Sequence, residues 1–487
     1  MSRFGRYWLL VCCWLGAALR WRGLFANSFH ADEALFAGWA RHIAVWRDPL
    51  LLTQAVDKPP LLFYLQALFY PLFGPVEWAA RLPAFVASLL LIPLTAQLAR
   101  RLTGDRVAGV IAAGVMAAAP LAVQFSATAF ADPLLTFWLV AALYAAAEPM
   151  RSGTTPRFGP LWAGLLFGLA LTTKYQALLF APLLLGVAWL GGWQRAEWAR
   201  AAAGGAAIML LLLAWQLVRP QAGGLVALQW ANIGGLRPAR SWELWPRLVE
   251  TARLWRLSLG RPLVVVGLVA APGLWWARRV GRLRPTDGLL LLFVIAYALL
   301  HWLWAVPVWD RYLLPVLPLV AILLGRSFSA LLALAARQPA LRLAPALLLF
   351  ALVVAHAPAA MAARNGRFPI GGSPAADSGA AAVARLLEDA PYGTVLYDHW
   401  YSWHWRYQLF AGRVYVSWFP HAEALLADLA AFGDSGPARY VVLPNGDAGR
   451  PVARQLLAGG YELEAISDAE TASMTLYRIN RLRRADE

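Results

Sequence analysis

Acidic and basic side chains lie beside apolar segments at a few positions where they could do chemistry. Of the 43 basic residues, only Lys58 and Lys174 are lysines, and all the others are arginines. A lysine ammonium is compact and strongly hydrated, whereas an arginine guanidinium is a planar fork, so these two positions suggest a specific need for an ammonium. On this observation alone, chance retention of two exposed lysines is an equally acceptable interpretation.

Carboxylates occur beside the same apolar segments. A carboxylate can serve as a base, and ionisable side chains at membrane depth are costly and commonly functional. Each also has a structural explanation, because Asp32 and Asp132 could cap the helices that follow them. Asp310 could form a structural ion pair with Arg311. The candidate acids are Asp32, Glu33, Asp57, Asp132 and Asp310.

The composition excludes a soluble enzyme. The 487 residues are 60% hydrophobic and 14% charged, with a mean hydropathy of +0.54. Soluble proteins are about 45–50% apolar and about 25% charged. The net charge of +16 comes from residues 1–359, which hold 31 basic and 13 acidic side chains, while residues 360–487 hold 12 and 14. This distribution argues against a nucleic-acid partner and assigns the positive charge to a membrane domain.

Apolar segments of about 20 residues predict about eleven transmembrane helices. Short arginine-bearing turns separate alternate pairs, so the positive-inside rule predicts a cytoplasmic N-terminus and an extracytoplasmic C-terminus in a multi-pass protein of the cell (inner or plasma) membrane. The segments are centred near Trp14, Leu91, Ala113, Leu139, Leu166, Leu184, Leu210, Gly267, Val294, Leu319 and Leu349.

Two domains are expected. Residues 1–359 would form the transmembrane domain, with long outer loops at 25–78 and 219–261, and residues 360–487 a soluble extracytoplasmic α/β domain. In that second domain, helical patterns separate five β-strand patterns, which are TVLYD, RVYVSW, RYVVLP, YELEAI and MTLYRI.

The first outer loop contains two apolar helical patterns. One predicts an amphipathic helix in the outer membrane interface, with an apolar face of Leu35, Trp39, Ile43 and Trp46. The other, PPLLFYLQALFYPLF, is only fifteen residues long and predicts a re-entrant or interfacial helix.

This topology brings the candidate charged residues to one face of the membrane. Several cations and carboxylates beside lipid suit a lipid phosphate, since the cations can hold the phosphate while one carboxylate acts as a base.

Six motifs occur in order along residues 1–330: FHADEALFAGWARHI, DKPPLLFYLQALFYPLFG, AARLPAFVASLL, ADPLLTFWL, GLALTTKYQALLFAPLLL and DRYLLPVLPLVAIL. This order resembles the family 39 type of GT-C glycosyltransferases, which includes bacterial aminoarabinose transferases and protein O-mannosyltransferases. The resemblance implies a polyprenyl-phosphate sugar donor from the outer leaflet. It also implies attack by a hydroxyl of a lipid, glycan or protein acceptor, with inversion.

The resemblance also implies roles for individual residues. Asp32 matches the family's catalytic acid, which deprotonates or orients the acceptor, and Glu33 supports it. Lys58 matches a lysine that contacts the donor phosphate, and Asp132 matches a second acid. Lys174 falls in a segment similar to the family's TKG segment.

Two further matches concern the donor phosphate and the residues after Lys174. The resemblance implies that Arg311, by its place in RYLLP, contacts the donor phosphate. Tyr175 and Gln176 stand where the family often has glycine and proline. No cofactor is predicted and a divalent metal is not indicated, because fixed cations can neutralise a phosphate leaving group.

Two other classes fit parts of the sequence. A polytopic transporter or lipid flippase would also contain many apolar helices with charged residues at the membrane. It would often show internal repeats and charges near the midplane, and neither is found here. A membrane anchor for an external binding domain would leave the charged residues of the first outer loop unexplained.

Overall fold

The chain forms two compact units. The computed structural model describes residues 3–26, 28–148, 158–219, 224–232, 237–260, 284–337, 343–368, 379–410, 412–432, 436–466 and 473–482. One unit, called the helical unit here, consists of Met1–Ala26 and His42–Gly371. The other, the α/β unit, consists of Asn27–Arg41 and Gly372–Glu487.

Helices account for nearly all the regular structure of the helical unit. A further helix, α2, has most of its residues in the α/β unit and its last three in the helical unit. Between the helices lie two 3₁₀ segments, Tyr175–Phe180 and Asp310–Val316. The helices are α1 (Arg3–Ala26), α2 (Ala31–Ala44), α3 (Leu61–Ala67), α4 (Tyr70–Phe73), α5 (Glu77–Thr103), α6 (Arg106–Ala118), α7 (Pro120–Ser126), α8 (Asp132–Ala146), α9 (Gly159–Thr173), α10 (Ala181–Leu190), α11 (Arg195–Leu217), α12 (Leu225–Asn232), α13 (Ser241–Ser258), α14 (Pro285–Leu303), α15 (Leu317–Ala335) and α16 (Ala344–Arg364).

Within the described residues, five helices are long and apolar enough to cross a membrane, and α6 with α7 makes a sixth if the bent pair is one span. The chain is therefore a polytopic helical membrane protein. Ten of the eleven predicted centres fall on described helices, several of them shorter than a full span, and Gly267 lies outside the described residues. The number eleven stays a prediction. The short pair α3 and α4 agrees with the predicted non-spanning segment.

Proline breaks the helix between α6 and α7. Pro120 has no N–H and holds Ala119 in an extended conformation, and the two helices meet at an angle of 55°. The Arg20 side chain is 1% exposed and donates to the carbonyls of Met116 and Ala117, each at 2.7 Å. In an unbroken helix, the N–H of residue 120 would bond the Met116 carbonyl. A buried guanidinium thus satisfies backbone groups that the proline leaves unpaired.

At the end of the helical unit where α5 meets α6, one arginine forms ion pairs with two aspartates. Arg326 binds Asp105 and Asp287, both at 2.9 Å, while the Asp105 carboxylate also caps α6 by accepting from Val107 and Ala108. Arg311, just before α15, stands 15 positions earlier in the chain, which corresponds to roughly 20 Å of helix. The charged groups near these two arginines therefore belong to opposite ends of the same helices.

The α/β unit contains a five-stranded sheet in the order β2-β1-β3-β5-β4. Strands β1, β2 and β3 are parallel, and β5 is antiparallel to β3 and β4. The strands are β1 (Thr394–Asp398), β2 (Val414–Trp418), β3 (Arg439–Pro444), β4 (Tyr461–Ala465) and β5 (Met474–Arg481), and the helices are α17 (Ala380–Leu386), α18 (Ser402–Gln408), α19 (Ala422–Phe432) and α20 (Arg450–Ala458).

Alternate residues of the central strands serve two hydrophobic cores. In β1, Leu396 packs in the core that holds Trp405 of α18, while Tyr397 packs in the core that holds Leu425 of α19. The parallel strands of a sheet that helices cover on both faces show this pattern. All five strands and three of the four helices coincide with the sequence patterns, whereas the short helix α18 was not predicted.

The domain boundaries 1–359 and 360–487 stay a prediction. By their contacts, residues 27–41 group with the α/β unit, and residues 360–368 group with the helical unit. The predicted apolar face of the first outer helix is wrong in its last residue. Helix α2 ends at Ala44, and Trp46 lies beyond it with a φ of 56° and 80% exposure, while α2 buries Phe36 and Trp39.

Small residues allow α9 and α11 to pack closely. A Cβ on Gly164 would lie 1.9 Å from the Ala201 carbonyl oxygen, and one on Gly204 would lie 2.5 Å from the Leu161 carbonyl oxygen. Close backbone approach at small residues is a common way to pack membrane helices. Helix α9 ends directly before Lys174. This contact therefore also helps to fix the position of the Lys174 backbone.

We expect Gly164→Ala to lower the thermal unfolding midpoint of the purified protein in detergent. The added methyl group meets backbone atoms that cannot rotate away, and such overpacking costs about 1–3 kcal/mol. The matched control is Gly288→Ala in α14, where an added Cβ meets nothing within 4 Å. It should leave the midpoint unchanged or slightly higher, since alanine favours helix. Equal midpoints for the two variants would contradict the close contact.

Candidate functional site

A buried ion pair connects the ends of α8 and α9. The Nζ of Lys174 lies 2.6 Å from Oδ1 of Asp132, and their side chains are 16% and 2% exposed. Helix α8 begins at Asp132, Ala131 occupies the cap position, and no side-chain bond caps the helix. The structure therefore directs the Asp132 carboxylate to Lys174 rather than to its own helix. The capping explanation for Asp132 is wrong.

Two more cations lie close to this pair. Lys58 and Arg311 are both near enough for their charges to act on the Lys174 ammonium. Lys58 forms an ion pair with Asp57, and its side chain is 30% exposed. Two cations from distant parts of the helical unit thus lie within electrostatic range of Lys174, which is paired with Asp132. We call these four side chains, Lys58, Asp132, Lys174 and Arg311, the charged cluster.

Aromatic rings surround the cations of the charged cluster. The Arg311 guanidinium carbon lies 4.6 Å from the ring centre of Phe130 and 5.4 Å from that of Trp309, and the Lys174 Nζ lies 4.4 Å from that of Tyr312. An aromatic ring stabilises a cation through its negative face. The N–H groups of the Arg311 guanidinium lie in the guanidinium plane, so the rings stabilise its charge without accepting hydrogen bonds from those groups.

Hydrogen bonds to backbone fix the segment that carries Arg311. The carbonyl of Tyr312 accepts from the Tyr297 hydroxyl at 2.6 Å and from Nε2 of Gln176 at 3.1 Å, and Gln176 also donates to the Tyr297 hydroxyl. Asp310 accepts from the Arg311 backbone N–H at 2.7 Å and lies within electrostatic range of Arg253.

A buried arginine holds the loop that leads to Lys58. Arg219, 1% exposed, donates to the carbonyls of Leu51 and Gln54, both at 3.0 Å. Leu51 has a φ of 54°, a conformation that costs a residue with a Cβ on the order of 1–2 kcal/mol. Such strain persists only where the surroundings impose it. The loop is therefore held in one shape a few residues before Lys58.

An aspartate stabilises the first turn of the same loop. Burial alone would raise the pKa of Asp48, but hydrogen bonds from Thr53 and Leu52 outweigh it, so the pKa is below the ordinary value. The carboxylate accepts from the backbone N–H of Leu52 at 2.7 Å and from the Thr53 hydroxyl at 2.7 Å. The charged form of Asp48 is thus part of what shapes the loop.

Asp32 and Glu33 lie in the first turn of α2, within the α/β unit. The carbonyl of His30 accepts the first helical bond from Ala34, and the Glu33 carboxylate accepts from the His30 backbone N–H at 2.8 Å. This is one half of a capping box, with Glu33 at the third helical position. Glu33 therefore does the capping that the sequence assigned to Asp32. The capping explanation for Asp32 is wrong because the helix begins before it, at Ala31.

The structure thus brings together four of the predicted residues and places the others nearby or in the second unit. Asp57 accompanies Lys58, Asp310 lies beside Arg311, and Asp32 and Glu33 belong to the α/β unit. The sequence analysis missed the residues that hold the cluster in place. A phenol or an amide inside an apolar segment needs a buried hydrogen-bond partner. The sequence has such side chains at Tyr297 and Gln176, and this could have marked both as supporting residues. These supporting residues are Phe130, Gln176, Arg219, Tyr297 and Tyr312.

Part of the helical unit matches a known family by sequence. Residues 57–218 match the family model of dolichyl-phosphate-mannose-protein mannosyltransferases. The curated relatives include an undecaprenyl phosphate-alpha-4-amino-4-deoxy-L-arabinose arabinosyl transferase of Edwardsiella ictaluri, 27% identical over 165 residues, and one of Enterobacter sp., 26% identical over 174 residues. The matches cover 33% and 34% of this chain and 30% and 31% of those proteins. The aligned segments thus span about a third of the relatives' length.

Solved structures match almost the entire chain. ArnT from Cupriavidus metallidurans bound to undecaprenyl phosphate is 16% identical with a TM-score of 0.67, and the match covers 97% of this chain and 98% of that one. The archaeal oligosaccharyltransferase AglB from Archaeoglobus fulgidus, in complex with an inhibitory peptide and a dolichol-phosphate, is 13% identical with a TM-score of 0.57, covering 100% and 75%.

By its fold, then, the chain resembles the GT-C glycosyltransferase class. Within that class, the resemblance to the type that includes protein mannosyltransferases and aminoarabinose transferases is confirmed.

We expect the pair Asp132–Lys174 to show strong coupling in a double-mutant cycle. Asp132→Asn and Lys174→Met should each destabilise the protein, because removing one partner of a buried pair costs about 3–5 kcal/mol. The double variant should lose clearly less than the sum, since no buried charge is then left without its partner. Thermal unfolding in detergent measures this, with Asp447→Asn in the exposed pair with Arg450 as the control. Additive losses would mean that the two side chains do not interact.

We expect Tyr297→Phe to loosen the segment that carries Arg311 while the protein still folds. The variant removes one hydroxyl that both donates to the Tyr312 carbonyl and accepts from Gln176. Hydrogen–deuterium exchange should increase at residues 310–316. The matched control is Tyr144→Phe, because the contacts of Tyr144 with Arg101 use its ring and its backbone carbonyl. Unchanged exchange at 310–316 would show that the hydroxyl does not hold this segment.

Proposed function

We propose that this protein is an integral-membrane glycosyltransferase. It transfers a sugar from a polyprenyl-phosphate donor to a hydroxyl of a lipid, glycan or protein acceptor on the extracytoplasmic face of the cell membrane. The reaction inverts the configuration of the anomeric carbon. The observation that carries this proposal is the grouping of Lys58, Lys174 and Arg311 beside Asp132, in a chain with the fold of ArnT.

The cations suit the leaving group of such a reaction. When the bond between the anomeric carbon and the phosphate oxygen breaks, its electron pair stays on the oxygen, and the phosphate gains negative charge. Fixed cations placed where charge develops stabilise the transition state. Lys58 and Lys174 supply compact ammonium charges and Arg311 supplies a planar fork, which can bind two phosphate oxygens at once.

The carboxylates have two different tasks in this proposal. Asp132 is paired with Lys174, so it keeps the ammonium in place and offsets the repulsion among the three cations. Asp57 has the same relation to Lys58. Asp32 is the proposed base: it takes the proton of the acceptor hydroxyl as the oxygen bonds to the anomeric carbon, and Glu33 supports it by capping α2 at His30.

The buried charge of the cluster also explains why the helical unit needs so many supporting bonds. Ionisable groups at membrane depth are costly unless they are paired and hydrogen-bonded. The Tyr297–Gln176–Tyr312 contacts fix the segment that carries Arg311, and the Arg219 contacts fix the loop before Lys58. A phosphate group that enters would meet cations that are already oriented.

Asp32→Asn is expected to reduce sugar transfer by at least about 100-fold, in line with the contribution of a general base, while the protein still folds. The assay uses purified protein in proteoliposomes with a panel of radiolabelled undecaprenyl-phosphate sugars and membrane lipid extract as acceptor, and it detects labelled product. Asp447→Asn, in an exposed ion pair of the α/β unit, is the control and should keep full turnover. Near-normal turnover of Asp32→Asn would remove the base role.

In the same assay, Lys58→Ala is expected to act chiefly on the donor. It should raise the apparent KM for the labelled donor and weaken binding of undecaprenyl phosphate, because one cation of the charged cluster is lost. Arg200→Ala, at a half-exposed position of α11, removes a positive charge elsewhere and should change neither quantity. Unchanged dependence on donor concentration in Lys58→Ala would argue against the phosphate contact.

A further inference from the structure

The helix that carries Asp32 is packed against the C-terminal domain. Residues 27–41 form one compact unit with residues 372–487, although more than 300 residues separate the two segments in the chain. The described contacts converge on α18, the short helix Ser402–Gln408, and on Phe410 just after it.

At the start of the segment, Phe29 is fixed through both its backbone and its ring. Its carbonyl oxygen lies 3.0 Å from Nε2 of His404, so the imidazole donates from that nitrogen. Its ring packs edge-to-face on Tyr407, with the ring centres 5.2 Å apart and the planes at 71°. Phe29 and Tyr407 are both 1% exposed, so this contact is buried.

At the other end of the segment, Arg41 makes a second attachment. Its Nη1 donates to the Tyr407 carbonyl at 2.6 Å, and its guanidinium carbon lies 4.5 Å from the ring centre of Phe410 and 5.8 Å from that of Tyr407. Asp32 lies between Phe29 and Arg41, one turn of helix after the first attachment. Both ends of the segment that bears this carboxylate are therefore tied to the same short helix.

Helix α18 is itself a rigid support. Trp405 is fully buried in one of the two cores of the sheet. The Asp398 carboxylate, at the end of β1, accepts from the Tyr401 backbone N–H and from the Ser402 hydroxyl, both at 3.0 Å. The sheet thus fixes the start of α18, and α18 fixes the segment 29–41.

We propose that the C-terminal domain positions the catalytic base, with Arg41, His404 and Tyr407 as positioning residues for Asp32. This inference rests on the proposed function, in which Asp32 takes the proton of the acceptor. The domain then acts in catalysis through the helix that it holds, and its attachment determines the direction in which the Asp32 carboxylate faces. A displacement of about 1 Å in a catalytic group can reduce a rate by about 100-fold.

The test compares Arg41→Met with Arg406→Met in the full-length protein. Met keeps the length of the side chain but removes the charge and the donors. Arg406 lies on the same helix α18, is exposed, and its guanidinium carbon stands 4.9 Å from the ring centre of Trp403, away from the segment. We expect Arg41→Met to lower kcat at least tenfold, with the donor KM within twofold of wild type, while Arg406→Met keeps both.

Two further measurements separate positioning from loss of fold. Arg41→Lys retains a charged donor and should recover part of kcat, and hydrogen–deuterium exchange in Arg41→Met should increase at residues 31–41 while the β1–β3 region keeps its protection. If Arg41→Met does not fold, His404→Ala, which removes the hydrogen bond to the Phe29 carbonyl, takes its place with the same expectation. Unchanged kcat with unchanged exchange would overturn the inference, and so would a parallel rise in donor KM.

Wild type and Asp32→Asn are measured in parallel to keep the two proposals apart. If wild type transfers no sugar, the proposed function is contradicted. If Asp32→Asn keeps its turnover, the proposed role of Asp32 as the base is contradicted. If wild type is active, Asp32→Asn is inactive and Arg41→Met retains the wild-type kcat, only the positioning role is overturned.

Discussion

The buried ion pair between Asp132 and Lys174 is the interaction on which the candidate site depends. Taking both charges out of water is costly, and only their short separation and the surrounding groups offset that cost. The pair connects the first residue of α8 with the residue that follows α9. It therefore fixes the relative position of two helix ends and, in the same contact, holds an ammonium beside Lys58 and Arg311. One ion pair thus determines both the positions of the helix ends and the position of a positive charge in the site.

The identity of the cation in this pair matters. An ammonium is a compact charge with three donors, and it can bind one carboxylate oxygen and face an aromatic ring at the same time, as Lys174 does with Asp132 and Tyr312. A guanidinium in the same space would need room for a planar fork. The chain uses arginine at 41 other positions. Its second lysine, Lys58, lies within electrostatic range of the first, which is consistent with a local need for compact charge.

The sequence predicted the elements of the fold better than it predicted the residues that hold the site together. Strand alternation in β1 to β5 is a local pattern, and the motif order carried the resemblance for the helical unit. The hydrogen bonds to the Tyr312 carbonyl come from residues 15 and 136 positions earlier in the chain, and a single sequence does not reveal such contacts. Gln176 shows this clearly, because it stood out only as a departure from the family pattern, whereas in the structure it fixes the Tyr312 carbonyl and the Tyr297 hydroxyl.

Residues 27–41 group with the α/β unit in a way that no local pattern of the sequence indicates. Their apolar pattern is typical of a membrane-interface helix, and nothing local indicates that Phe29 and Arg41 pack against Tyr407. The consequence is a division of roles between the units. The helical unit carries the cations proposed to hold the donor phosphate, and the α/β unit carries the carboxylate proposed to act on the acceptor. In this proposal, the unit that carries the base also orients it, because α18 holds both ends of the segment that bears Asp32.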